Sequence, residues 1–176
     1  VIRAFDRQWQ PRRFCGRLAG MLDKKEKDKH FMRLAIKEAE KAFAADEVPV
    51  GAVAVHEGQI VGRAYNQPRL LKDATAHAEM LAITQACETL QSERLPAVTL
   101  YVTLEPCPMC IGAMILARIE RLVYGAREAK TGACGSMIHL MADAKWNHQF
   151  KIEEGLLEFE SAALLQEFFK KKRPSR

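Results

Sequence analysis

The sequence predicts one α/β domain in three layers, with helices on both faces of a mixed central sheet of about five strands. The chain has 176 residues, enough to bury a sizeable core in one domain but too few for two. A hairpin pattern at residues 57–58 opens the sheet, and segments with helical spacing then alternate with short apolar runs. Its composition, 48% hydrophobic and 28% charged, is typical of a soluble globular protein.

Apolar residues at helical spacing and short apolar-rich runs locate the elements along the chain. Phe31, Leu34 and Ala35 form one apolar stripe of the first helix, whereas V-T-L-Y-V-T from Val98 is a continuous strand pattern. In chain order, the predicted elements are a helix at 27–45, strands at 50–56 and 59–65, a helix at 75–88, a strand at 98–103, a helix that contains Cys110 and ends at 117, a strand at 121–124, a short helix at 136–142, a strand at 151–154 and a helix at 158–171.

Turn-forming residues predict the connections between these elements. Asp73 or Thr75 is expected to cap the second helix, and Ser136 is expected to cap the short helix near the C-terminus. Residues 69–72 are expected to form an exposed loop. Asn66 has two interpretations: its amide bends the backbone at a turn, or it donates to N7 of an adenine base. The local sequence N-Q-P favours the turn.

Two short stretches together form the pattern H-x-E…P-C-x-x-C, which supplies His77, Cys107 and Cys110 as candidate ligands of Zn²⁺. Three protein ligands leave the fourth position of a catalytic zinc site open for water. Cys107 and Cys110 are three residues apart, so the first turn of a helix places both sulfurs on one face. His77 and Glu79 do not share a face of a regular helix, so His77 is expected at the very start of its helix. Glu79 would then move protons as the catalytic carboxylate.

The C-x-x-C pair has other interpretations when it stands alone. It is more often half of a structural zinc site or a redox pair. A structural site lacks its second pair here, and a redox pair would not need His77 and Glu79 upstream. Cys134 is the nearby cysteine that could act as a fourth ligand, but a fourth ligand would block the water position.

Residues 1–22 are predicted to form a disordered basic extension. Residues 1–20 alone carry five Arg and one Asp, whereas the net charge of the whole chain is +5. Arg12 and Arg13 are not followed by the apolar stretch of a signal peptide. No apolar run approaches the ~18 residues of a membrane span, so no membrane partner is expected. Five cysteines, two of them assigned to zinc, do not resemble a disulfide framework and favour the cytoplasm.

Two basic segments are candidates for binding nucleic acid. The glycine-rich loop at 125–136 carries Arg127 and Lys130, which either contact phosphates or are simply exposed. The last helix carries Phe169 and Arg173 near a run of lysines. Phe169 is interpreted either as a docking surface or as an aromatic ring that stacks on a base.

Several longer motifs carry a resemblance to the bacterial tRNA-specific adenosine deaminases over about residues 31–173. They are E-V-P-V-G-A-V-A-V, Y-N-Q-P, T-A-H-A-E-M, L-Y-V-T-L-E-P-C-P-M-C, G-A-R-E-A-K-T-G-A-C-G-S and A-A-L-L-Q-E-F-F-K-K-K-R. The resemblance implies a cytidine-deaminase-like fold and a zinc-dependent deaminase domain at 23–176. It also implies a homodimer whose tRNA site draws on both subunits.

The same resemblance implies a substrate and its contacts. The substrate would be the wobble adenosine in the anticodon stem-loop of an arginine tRNA, converted to inosine, with Asn66 and Ala78 as substrate-binding residues. The chain departs from the pattern at Cys134, where Ala is expected, and at Ala74, where Pro is common.

The resulting hypothesis is hydrolytic deamination, in which zinc-activated water attacks C6 of an extruded adenine and Glu79 transfers the protons. One competitor is a guanine or deoxycytidylate deaminase of the same superfamily, because these enzymes share the histidine at position 77. A competitor of another class is a non-catalytic RNA-binding domain with structural zinc, which would require Cys134 as a ligand.

Overall fold

The structure is a computed structural model that describes residues 18–143 and 145–173. Its elements follow the predicted order closely. They are α1 (Leu18–Ala44), β1 (Gly51–His56), β2 (Gln59–Tyr65), α2 (Pro68–Leu71), α3 (Ala78–Leu90), β3 (Val98–Leu104), α4 (Pro108–Ala117), β4 (Arg121–Ala126), α5 (Leu140–Asp143), β5 (Lys151–Glu153) and α6 (Glu158–Lys172).

The five strands form one mixed sheet in the order β2-β1-β3-β4-β5. β1 is antiparallel to both β2 and β3, whereas β3, β4 and β5 are mutually parallel. α1 and α6 contact each other and the sheet, and α3 and α4 form a second packed pair. The predicted α/β class with a mixed sheet of about five strands is therefore confirmed.

Glycines bring the helices very close to the first two strands. A Cβ atom at Gly51 would lie 2.0 Å from the carbonyl oxygen of Ala35 on α1. A Cβ atom at Gly62 would lie 2.4 Å from the carbonyl oxygen of Ala82 on α3. Because any side chain at either position would collide with helix backbone, these glycines set the distance between sheet and helices. Buried alanines on α1 and α3 continue the same close packing.

Three features differ most from the prediction. Within the described residues α1 extends back to Leu18, nine residues before the predicted start at 27. It therefore overlaps the predicted extension at 1–22, whose residues 1–17 lie outside the described ranges. The sequence predicts a loop at 69–72, but Pro68–Leu71 is a short helix. Proline preorganises its first turn, and buried Glu47 accepts a hydrogen bond from the N–H of Leu70 at 2.7 Å.

The last short helix begins at Leu140 and not beside Ser136, so the expected cap at Ser136 is wrong. The hydroxyl and the N–H of Ser136 instead donate to the carboxylate of Glu105. This serine therefore donates to a carboxylate distant in the sequence and does not cap a neighbouring helix.

A buried ion cluster lies where β4 begins. The guanidinium of Arg121 contacts Asp28 of α1 at 2.6 Å and Glu153 of β5 at 2.6 Å, and the hydroxyl of Tyr101 donates to Asp28 at 2.6 Å. Burial alone would raise the pKa of Asp28, but the hydrogen bonds from Arg121 and Tyr101 lower it. The cluster joins α1, β3, β4 and β5 at the end of the sheet opposite the carboxyl end of β3.

Within the described ranges, none of the helices combines the length and the apolar character needed to cross a membrane.

Candidate metal centre and active site

His77 and Cys107 each occupy the residue immediately before a helix. His77 is the N-cap of α3 with φ −71° and ψ 152°, and Cys107 is the N-cap of α4 with φ −77° and ψ 170°. The expected position of His77 at the start of its helix is therefore confirmed. The expected cap of α3 is wrong, because Asp73 accepts hydrogen bonds from the N–H and hydroxyl of Thr75 and no side chain of the N-cap residue caps the helix.

The three candidate ligand atoms lie close enough together to hold one metal ion. The two sulfurs are 3.7 Å apart, and Nδ1 of His77 lies 3.7 Å from Sγ of Cys107 and 3.6 Å from Sγ of Cys110. A tetrahedral zinc ion with Zn–S of about 2.3 Å and Zn–N of about 2.0 Å requires edges of roughly 3.5 to 3.8 Å. The donor set and its spacing therefore fit zinc with one position open.

The mutual contacts also change the pKa values of the two cysteine ligands. The contact with Cys110 and a hydrogen bond with His77 lower the pKa of the Cys107 thiol to about 4, although its burial acts against this. The pKa of Cys110 is raised, because of its contact with Cys107 and its burial. One thiolate therefore forms readily, and a dication bound between the sulfurs would favour the second.

Glu79 lies two residues after His77 and is 4% exposed. Its Oε2 atom is buried and has no hydrogen-bond partner among the described residues. Burial raises the pKa of Glu79. A buried carboxylate oxygen without a partner is costly for folding, so its presence beside three metal ligands indicates that a ligand or reactant satisfies it.

A pocket of about 240 Å³ lies over this cluster. It is smaller than the ~300–1,000 Å³ typical of sites for drug-sized ligands, which suits one flat base. The polar side chains that line it are those of Asn66, His77, Glu79, Glu105, Cys107, Glu128 and Thr131.

Asn66 lies in the pocket wall and supports the start of α3. Its Oδ1 accepts a hydrogen bond of 2.8 Å from the N–H of Ala78, the first residue of that helix. This contact determines the amide orientation, so the nitrogen is the end that can donate to a base. Ala78 is fully buried behind Asn66, and its N–H is already engaged.

Glu105 is a site residue that the sequence reasoning missed. It is 2% exposed, and its carboxylate accepts from the N–H groups of Glu128, Cys134 and Ser136. Burial opposes ionisation, but the hydrogen bonds from Ser136 and from these N–H groups lower the pKa of Glu105. The sequence offered one signal for it, an acidic residue directly before Pro106 in the motif. If such an acid is buried, it requires hydrogen-bond donors from elsewhere in the chain.

Comparison with known proteins places this chain in a family. A family model described as MafB19-like deaminase matches residues 26–173. A tRNA-specific adenosine deaminase of Bacillus subtilis is 47% identical over 146 residues, which cover 83% of this chain and 91% of the relative. One of Agrobacterium fabrum is 49% identical over 144 residues, which cover 82% and 95%. The chain belongs to the tRNA-specific adenosine deaminase family.

Solved structures give the same result for the fold of this deaminase. A chain described in studies of A-to-I editing by tRNA:A34 deaminases at the wobble position of transfer RNA has a TM-score of 0.75 and 49% identity. It covers 77% of this chain and 99% of its own length. A guanine deaminase from Nitrosomonas europaea has a TM-score of 0.69 and 26% identity, covering 80% of this chain and 83% of its own length. The cytidine-deaminase-like fold predicted from the motifs is confirmed.

Cys134 lies outside the candidate metal group of this deaminase, which among the described residues contains His77, Cys107 and Cys110. Cys134 is buried, and burial raises the pKa of its thiol to about 12. A thiol with such a high pKa is a poor ligand or nucleophile, so its environment indicates a packing role.

Of the four residues predicted to bind nucleic acid, three lie together and the fourth lies apart. Lys130, Phe169 and Arg173 line one surface cleft of about 470 Å³ at the end of α6. Arg127 instead forms an ion pair of 2.8 Å with Glu154, and its side chain is 62% exposed. The deaminase thus has one basic cleft beside the loop that carries Lys130, while Arg127 has a protein partner.

Proposed function

We propose that this chain is a zinc-dependent enzyme that hydrolyses the wobble adenosine of a tRNA anticodon loop, in tRNA-Arg above all, to inosine and ammonia. The observation that carries the proposal is an open set of three zinc-type ligands next to a buried carboxylate oxygen that lacks a partner among the described residues. The names of the relatives at 47% and 49% identity support the tRNA substrate.

His77, Cys107 and Cys110 would hold the metal, since their atoms have the spacing that tetrahedral zinc requires. When bound, zinc would supply Lewis-acid activation of water at neutral pH. The starts of α3 and α4 keep the three ligand atoms on one side of the pocket. This arrangement needs no fourth protein ligand.

Glu79 would act as the general acid and base. Glu79 lines the pocket and its buried Oε2 atom has no partner among the described residues, so the carboxylate would accept a proton from the attacking water. It would pass that proton to the ring nitrogen of adenine, then take the proton of the new C6 hydroxyl and deliver it to the amino group, which leaves as ammonia. Asn66 would hold the base through its amide nitrogen, because Ala78 engages the amide oxygen. Ala78 would contribute by orienting Asn66.

The anticodon stem-loop would bind across the basic cleft formed by Lys130, Phe169 and Arg173. The cations would contact phosphates, and Phe169, which is 48% exposed, would stack on an unpaired base. An unpaired loop base costs little to extrude into the pocket over the metal. Because the cations would contact phosphates, binding of the stem-loop should weaken steeply as the salt concentration is raised.

The proposal is tested by incubating the purified zinc-loaded protein with an anticodon stem-loop that carries adenosine at the wobble position. Inosine should accumulate at that position together with ammonia, and a stem-loop with guanosine there should not react. Absence of inosine from a protein that contains one zinc per chain would contradict the proposed reaction.

A second candidate is deamination of a free purine base, because the fold is also similar to the guanine deaminase of Nitrosomonas europaea. Release of ammonia from guanine or dCMP, with none from the stem-loop, would favour this candidate. A non-catalytic RNA-binding domain is less consistent with the site, because Cys134 lies outside the candidate metal group.

We further propose that the enzyme is a cytoplasmic homodimer that associates through α4. Leu116 on this helix is 80% exposed, and a Cβ atom at Gly112 would meet none of the described residues within 4 Å. A large apolar side chain beside an open glycine fits the close approach of a second helix. Sedimentation should give a dimer that Leu116→Glu converts to monomers, and a monomeric parent protein would contradict the proposal.

A further inference from the structure

The carboxylate of Glu105 accepts all its side-chain hydrogen bonds within the described ranges from one loop, residues 128–136. Oε2 accepts hydrogen bonds from the N–H of Glu128 at 3.0 Å and from the hydroxyl of Ser136. Oε1 accepts from the N–H of Cys134 at 2.9 Å and from that of Ser136 at 3.1 Å. These donors lie at the beginning and near the end of the loop, so one buried side chain ties its two ends together.

The middle of the loop packs directly against the same carboxylate. A Cβ atom at Gly132 would lie 2.5 Å from the carboxyl carbon of Glu105 and 2.4 Å from the carbonyl oxygen of Glu128. Any residue larger than glycine would therefore push the loop away from Glu105. The backbone adds one more link, a hydrogen bond of 2.9 Å from the N–H of Ala133 to the carbonyl oxygen of Pro106.

The loop held in this way is part of the pocket wall. Glu128 and Thr131 line the pocket together with His77 and Cys107. Lys130, between them, lines the basic cleft. The loop thus contributes side chains to both surfaces, whereas the chain around Glu105 leads directly to the metal ligands.

We propose that Glu105 is a positioning residue that determines substrate affinity by holding the 128–136 loop against the pocket. The proposal rests on the proposed function, since it assumes that the pocket and the cleft bind the anticodon loop. Both carboxylate oxygens are engaged by donors of the loop, so Glu105 acts on the substrate through Glu128, Lys130 and Thr131. It neither binds the metal nor transfers a proton.

Glu105→Gln tests this role, because in either orientation of the amide its N–H₂ group would face at least one backbone N–H donor of the loop. Leaving buried donors without acceptors should raise KM for the stem-loop about tenfold or more. The kcat should change by less than about threefold, since a change that weakens binding of the ground state and the transition state equally leaves kcat unaltered. Zinc content should remain one per chain. The matched control is Glu153→Gln at the opposite end of the sheet, which should leave KM unchanged.

Hydrogen exchange followed by mass spectrometry gives a readout that does not depend on substrate. In Glu105→Gln, amides of the 128–136 loop should exchange faster, while those of α3 and α4 should keep their parent rates. Ser136→Ala, which removes one donor, should produce a smaller change in the same direction. Gly132→Ala should reproduce the rise in KM, because its methyl group would displace the carboxylate. These two variants decide the question if Glu105→Gln fails to fold.

The proposal is overturned if kcat or zinc content falls while KM and loop exchange stay at parent values, since Glu105 would then serve the metal segment. It is equally overturned if Gly132→Ala has the kinetics of the parent protein. A parent protein that forms no inosine would refute the proposed function instead. The exchange experiment would still show whether Glu105 holds the loop.

Discussion

At the start of β4, Arg121 is surrounded by Asp28, Glu153 and Tyr101, so every charge in that cluster has a partner. At the carboxyl end of β3, three metal-type ligands face one another, and a carboxylate oxygen of Glu79 has no partner among the described residues. Both regions bury ionisable groups, but only the second leaves a buried carboxylate oxygen without a protein partner among the described residues. The difference separates a region built for stability from one built to receive a ligand.

The largest effect is expected from Glu79→Gln, which keeps the shape of the side chain but removes the base. General acid–base catalysis contributes about 10²–10⁴-fold, so the rate of inosine formation should fall by that factor. The free energy of unfolding should not decrease, because a costly buried carboxylate is removed. Rates, zinc content and urea unfolding measure these quantities. A variant with more than about a tenth of the parent rate would show that Glu79 is not the catalytic base.

The opposite result is expected from Arg121→Leu. Removing the guanidinium leaves Asp28 buried with only the Tyr101 hydroxyl as a partner and no cation, which should lower the free energy of unfolding by about 3–5 kcal/mol. The kcat of the folded protein should stay near that of the parent. Lys24→Ala is the matched control, because it breaks an exposed ion pair with Glu153 and should cost less than about 1 kcal/mol. An unfolding midpoint unaffected by Arg121→Leu would show that the cluster does not stabilise the fold.

A smaller effect on the free energy of unfolding is expected when the pH is lowered. Although burial acts against it, hydrogen bonds from Arg121 and Tyr101 lower the pKa of Asp28 below its ordinary value of 3.8. The contribution of Asp28 to stability is therefore complete above pH about 4 and is lost as the pH falls through its lowered pKa. The difference in unfolding free energy between the parent and Asp28→Asn should shrink below that pH, while metal release common to both proteins cancels. A difference that stays constant from pH 7 to about pH 3 would contradict this explanation.

The smallest effects, on stem-loop binding, are expected from substitutions of two surface cations. Lys130 lines the basic cleft, whereas Arg127 is paired with Glu154. Lys130→Ala should weaken stem-loop binding and reduce the slope of log affinity against log salt by about 1. Arg127→Ala should change that slope less. Fluorescence anisotropy at several salt concentrations measures both, and equal slopes for the two variants would show that the ion pair does not distinguish them.

The outline of the fold and the candidate ligands could be predicted from the sequence because their signals are local. The sequence predicts strand β2 at the bounds that it has, and helix geometry over two residues places His77 correctly. The short helix at Pro68–Leu71 is not predicted, because it depends on Glu47, which is 23 positions from its partner Leu70. The local pattern assigns the cap of α3 to a neighbour, but the first N–H of this helix donates to Asn66, 12 positions away.

The sequence by itself determined which atoms can bind a metal and which carboxylate lies next to them, since spacings of two and three residues orient side chains at the start of a helix. Only the tertiary structure decided that Glu79 is buried without a partner among the described residues and that Glu105 holds a loop 23 to 31 positions further on. Burial and hydrogen bonding between distant segments depend on how the chain packs, and a local pattern of residues does not specify that packing.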